Sequence, residues 1–125
     1  MITEDFVSKE IAELLKEKGF DEETRSCYYL NDTSKVYLNG SVSCNYNGYG
    51  FQNICVSAPT LQMAIKWLRE VCGLIISIEF QAICSTWKWR IYIKSSNKKH
   101  TDFQHYNKYE EAVETAIKYC LEHLI

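Results

Sequence analysis

The sequence predicts an α+β domain in which an antiparallel sheet of about four to five strands carries three helices in two layers. Three observations carry that reading. Apolar residues recur at helical spacing near the N-terminus, in the middle of the chain and at the C-terminus. Residues 74–82 and 87–94 alternate as the two arms of a hairpin. Polar, turn-forming segments separate these blocks, and neither a repeat nor a linker divides residues 1–125 into more than one domain. The expected order is α-β-β-(β)-α-β-β-α.

The first helix is expected to start at Thr3, with Glu4 and Asp5 complementing the dipole of its first turn. Val7, Ile11, Leu14 and Leu15 give its buried stripe, Lys18 and Gly19 end it, and Phe20 folds back onto it. Residues 27–30 and 35–38 read as two short strands across the turn 31–34. Residues 39–53 read as a loop in which Tyr46, Tyr49 and Phe51 stand among Asn, Ser and Gly, and a loop of this length is either functional or disordered. Residues 54–56 form a short strand leading into the central helix.

Pro59 suits the first turn of that helix, Ser57 or Thr60 offers an oxygen to an orphan N–H, and Gly73 takes the left-handed closing position. Leu61, Ala64, Ile65, Leu68, Val71 and Cys72 form its apolar arc, opposite Gln62, Lys66, Arg69 and Glu70. Met63 and Trp67 lie on the flank, where they either cover the sheet edge or anchor a subunit contact. In the hairpin, a turn centred between Cys84 and Ser85 sets Phe80 against Trp89, Ile78 against Ile91 and Ile76 against Ile93, with Glu79 opposite Arg90 and Gln81 opposite Lys88 on the other face. Residues 95–106 are polar and loop-like, with a short strand around Phe103. Asn107 and Glu110 have the spacing of a capping box, after which Tyr109, Ala112, Val113, Ala116, Ile117, Cys120, Leu121 and Leu124 trace the last helix.

Composition narrows the function. A net charge of −2 lacks the basic field that bulk nucleic-acid binding needs. No segment approaches the roughly 20 continuous apolar residues of a membrane span, so no membrane association is expected. The opening Met-Ile-Thr-Glu-Asp-Phe is acidic rather than apolar, which predicts a cytoplasmic protein whose six cysteines stay free thiols. The cysteines include no C-x-x-C pair, and His100, His105 and His123 lack metal-ligand spacing, so no metal and no cofactor is expected. Asp102 and His105 are close enough in sequence to meet in their loop. With no nucleophile elbow, phosphate loop or paired carboxylates, no catalytic residue is assigned.

Binding is the better-supported role. Nine Tyr, five Phe and three Trp supply ring area, and Trp87, Lys88 and Arg90 bring an aromatic and two cations into one hairpin. Stacking plus cationic clamps is how a nucleotide is held without chemistry. The expected ligand-binding set is Tyr28, Tyr49, Phe51 and Trp87 for the base, with Lys88, Arg90 and the helix start at Ser57 and Thr60 for phosphates. Against it stands the structural reading, in which Trp87 and Trp89 are core and the cations solvate the outer face of the sheet.

The strings TEDFVS with LLKEKGFD, APTLQMAIKWLRE, and YEEAVETAIKYCLE resemble a family of small proteins from gut bacteria and their phages. The likeness covers the three helices and leaves residues 39–53 outside it. Phage carriage, together with size and aromatic content, makes the chain similar in setting to phage proteins that sequester nucleotide immune signals of the cyclic ADP-ribose type. The resemblance therefore implies a non-enzymatic homo-oligomer that captures a small nucleotide-type ligand to counter bacterial defence. A module that inhibits or adapts a host protein is the alternative, and a small nucleotide-cleaving enzyme comes third.

Overall fold

Three helices and six strands are present among the described residues of the computed structural model, which are 2–31, 36–38, 43–51 and 53–125. Their order is α1 (Lys9–Glu17), β1 (Ser26–Tyr29), β2 (Tyr37–Leu38), β3 (Cys55–Ser57), α2 (Leu61–Glu70), β4 (Leu74–Gln81), β5 (Thr86–Ile93), β6 (Lys99–Thr101) and α3 (Tyr109–Tyr119), whose last turn, Cys120–Leu124, is π-helical. The class is α+β as expected. The strands form two three-stranded antiparallel sheets, β2-β1-β3 and β4-β5-β6, rather than one sheet of four or five. The chain clusters into two compact units, Met1–Thr60 and Leu61–Ile125, each holding one sheet.

In the first unit α1 begins at Ser8, whose Oγ accepts from Ile11 N at 3.3 Å, and not at Thr3. Extended pairing wins over the local acidic signal, because Phe6 bridges Thr60 and Val7 N donates to Pro59 O at 3.0 Å. Gly19, at φ +95°, ends the helix, and Phe20 returns to the core. The loop from 43 to 51 is stitched down. Asn47 Oδ1 accepts from Ser57 N at 3.0 Å and its Nδ2 donates to Phe20 O at 2.9 Å, while Asn45 Nδ2 donates to Asp21. Tyr46 is thereby buried against Cys27 and Cys55, with Cys44 and Phe51 around them. The expected turn 31–34 and the loop segments 39–42 and 52 lie in whole or part outside the described residues.

In the second unit α2 packs on β4 and α3, and α3 packs on both long strands. The buried face of α2 is Leu61, Ala64, Trp67 and Leu68, so Trp67 is core rather than flank and Val71, beyond the last helical turn, is exposed. Gly73, at φ +69°, closes the helix as expected. The hairpin register differs by two residues from expectation, with Ile76 opposite Ile91, Ile78 opposite Trp89 and Phe80 opposite Trp87. Ser85, at φ +54°, closes a turn over 82–85 and pulls Thr86 opposite Gln81. A shift of two preserves the side-chain faces, so Trp89 and Ile91 remain on the buried side. The cap residue of α3 is Lys108, with no side-chain cap bond, so Asn107 does not start the helix; the stripe from Ala112 to Leu121 is buried as expected.

Candidate functional site

The site is built where the β5–β6 pairing is interrupted. Arg90 stands opposite Thr101 in the ladder, Asp102 N still donates to Trp89 O at 3.3 Å, and pairing resumes only where Tyr106 and Trp87 exchange backbone bonds of 2.7 and 2.8 Å. Residues 102–105 therefore loop out as a bulge, the device that re-aims side chains at a sheet edge. Asp102 pins this bulge. One carboxylate oxygen accepts from Gln104 N at 2.9 Å and the other from the Tyr106 hydroxyl. Burial, and then the adjacent Asp102 carboxylate, push the Tyr106 hydroxyl above its usual range, so it remains a donor.

The result is a cleft of about 460 Å³ within the second unit, inside the range typical of small-molecule sites. Trp89 forms its base; Lys99, His100 and Thr101 come from β6, Asp102, Gln104 and Tyr106 from the bulge, and Thr115 and Tyr119 from α3. The Tyr119 ring lies 5.1 Å from Trp89, 5.7 Å from His100 and 4.8 Å from His123, and its hydroxyl is 3.4 Å from His100 Nδ1. Trp89 is 4% exposed, and its buried Nε1 makes no full hydrogen bond, its neighbouring acceptor being the Tyr106 hydroxyl. A buried indole N–H normally makes a full one, so this donor marks a place where an incoming acceptor is favoured. The two threonine hydroxyls are committed, Thr115 donating to Glu111 O at 2.7 Å and Thr101 accepting from Arg90 Nε at 3.3 Å.

No family model, curated protein or solved structure matches the chain. The reading of the site therefore rests on its own geometry.

The residues expected to bind ligand fall in both units. Tyr28, Tyr49, Phe51, Ser57 and Thr60 belong to the first and Trp87, Lys88 and Arg90 to the second. Tyr28 is buried and donates to Val7 O at 2.6 Å; Ser57 is buried, and its Oγ accepts from Tyr46 N at 3.1 Å. Phe51 meets Tyr46 edge-on at 5.2 Å, and Thr60 sits in the bridge to Phe6, whereas Tyr49 is 95% exposed. Structural bonding thus occupies the Ser57 hydroxyl expected at a phosphate, and holds in the core the Tyr28 side chain whose ring was expected against the base.

In the second unit Trp87 packs on Phe80 and Tyr109 at 4.9 and 5.2 Å. Lys88 and Arg90 fall on the opposite face of the pleat from Trp87, since they are one and three residues along the same strand. Arg90 is engaged by Glu79 at 3.2 Å and by Thr101; its bond to Tyr92, and then Glu79, hold its guanidinium further into the charged range. None of the three lines the cleft. What sequence reasoning missed is Lys99, His100, Asp102, Gln104, Tyr106 and Tyr119. The available signal was the run of polar side chains before Tyr106, which separate from one another only through the bulge.

A second cleft, of about 400 Å³ in the first unit, is lined by Tyr29, Leu30, Asn31, Asn53 and Ile54 among the described residues.

Proposed function

We propose that the protein is a non-enzymatic binding protein that holds a small nucleotide-type ligand in the cleft between β5, β6 and α3. The observation that carries this reading is the buried Trp89 Nε1, which makes no full hydrogen bond beside the Tyr106 hydroxyl, in a cleft walled by the Tyr119 and Tyr106 rings. A planar base has aromatic faces to meet there, and its ring nitrogens or carbonyls are acceptors for the indole. His100, opposite Ile91 on the face that carries Trp89, meets the anionic end of such a ligand, and Asp102 accepts from its ribose hydroxyls or exocyclic amine. Binding rather than turnover is supported because the hydroxyls that line the cleft, those of Thr101, Thr115, Tyr106 and Tyr119, already have partners. Sequestration of an immune signal during phage infection, and assembly as a homo-oligomer, extend this reading; the first rests on the resemblance of the three helical strings.

Native mass spectrometry of the protein mixed with pooled mono-, di- and cyclic nucleotides tests it. The expected result is one adduct per chain, released with unchanged mass after heat denaturation, with the oligomer read from the same spectrum. A ligand recovered with altered mass makes the protein a nucleotide-cleaving enzyme. No adduct contradicts the reading.

The alternative, a module that docks on a host protein, is favoured by one observation. Ile83 at the hairpin turn and Phe103 on the bulge are both almost wholly exposed, and Phe80 at the end of β4 is half exposed. The His105 contact with Thr86 holds the bulge against the hairpin end, so these apolar side chains share one end of the unit. A pulldown from host lysate that recovers one protein with the native chain, and loses it with Phe103→Ser and Ile83→Ser, supports this alternative.

A further inference from the structure

Away from the cleft wall, the hairpin turn and the bulge bring together a thiol, a hydroxyl and an imidazole. Thr86 Oγ1 lies 2.8 Å from His105 Nδ1 and 2.8 Å from Cys84 Sγ, and Cys84 Sγ lies 3.7 Å from the same Nδ1. The Thr86 hydroxyl thus stands between the thiol and the imidazole, in reach of both, so it can pass a proton from the nucleophile to the base, and a nucleophile coupled to a base is the arrangement that activates a thiol. It is also open, since Cys84 and His105 are both exposed.

The other cysteines differ from Cys84 in both respects. Cys27, Cys55 and Cys120 are buried, and Cys44 and Cys72 are half-buried. Burial pushes Cys120 up to about 12 and, with help from the neighbouring Cys55, Cys27 up to about 11; Cys55 and Cys72 are raised as well. A thiol that stays protonated is a poor nucleophile.

We propose that Cys84 is a selective modification site, which forms a mixed disulfide with a low-molecular-weight disulfide of the glutathione type, with His105 as the proton acceptor. The Thr86 hydroxyl gives its proton to His105 Nδ1 as it takes the proton of Cys84 Sγ, and the thiolate attacks one sulfur of the small disulfide. The new S–S bond forms as the old one breaks. The departing thiolate recovers a proton from the imidazolium, so the protein thiol is oxidised and half of the small disulfide is reduced. This inference is independent of what the cleft binds.

Oxidised glutathione added to the folded chain provides the test, with adducts followed by intact mass and located by peptide mapping. One glutathione adds first, at Cys84, and Cys84→Ser loses that adduct. His105→Ala slows the addition about tenfold, because the thiol loses its proton acceptor. In denaturant the difference between the native chain and His105→Ala disappears. The proposal is overturned if Cys44 reacts as fast as Cys84, or if His105→Ala reacts at the native rate.

Discussion

The Tyr119 ring sits 5.1 Å from Trp89 at an interplanar angle of 44°, joining the C-terminal part of α3 to the middle of β5. The same ring meets His100 of the short strand β6, so one side chain touches all three elements that enclose the cleft. Tyr119→Ala is expected to cost about 1–2 kcal/mol of stability through loss of these ring contacts. It is also expected to weaken a stacked nucleotide about tenfold or more. Thermal melts and a binding titration on the same sample separate the two effects.

Tyr28 presents the opposite case. Its hydroxyl donates to Val7 O at 2.6 Å in the core of the first unit, so Tyr28→Phe is expected to lower stability by about 1 kcal/mol and leave ligand affinity unchanged. A loss of affinity without a loss of stability would return Tyr28 to the binding set.

Arg90 tests where the anionic end of the ligand goes. Its guanidinium is held by Glu79 and Thr101 on the face of the pleat opposite Trp87, and it does not line the cleft. Arg90→Ala is expected to change affinity less than about threefold, whereas His100→Ala is expected to weaken it more. Titrations of the two variants decide, and a larger effect at Arg90 than at His100 would move the anion site to the outer face.

Cys120 gives a pH dependence with a defined sign. Burial raises its thiol from 9.0 to about 12, so the folded chain keeps a proton that the unfolded chain releases. Stability is therefore unaffected by this group below about pH 9 and falls as pH rises from there toward 12, by up to about 1.4 kcal/mol per pH unit. Denaturant unfolding at pH 8 and pH 10.5 is expected to show a smaller alkaline loss for Cys120→Ala than for the native chain, even though the variant starts less stable. Equal losses would mean that Cys120 ionises at an ordinary pH in the folded state.

Elements whose signal is local were readable from the chain. The three helices declare themselves by apolar spacing and by the glycines at 19 and 73, and β4 and β5 by alternation whose faces survive a two-residue error in register. That register depended on Ser85 adopting a left-handed conformation, which a serine does not advertise. The start of α1 was misplaced because Phe6 and Val7 pair with Thr60 and Pro59, a contact that a local reading of Thr3, Glu4 and Asp5 cannot contain. The cleft was the least readable part. Trp89 was visible only as an apolar position, Tyr119 fell outside the apolar stripe of the last helix, and Lys99, His100 and Asp102 were visible only as loop residues, because their proximity is created by a bulge that follows an edge strand of three residues.

The most direct test of the cleft as the ligand site is the indole N–H resonance of Trp89 in a two-dimensional nitrogen–proton spectrum. The chain has three tryptophans, Trp67, Trp87 and Trp89, and substitution of each assigns its peak. On titration with the nucleotide identified by mass spectrometry, the Trp89 peak is expected to move and saturate with one ligand per chain, together with the amides of residues 99–106, while the Trp67 peak stays in place. Saturable binding that leaves Trp89 and residues 99–106 unmoved would contradict the account.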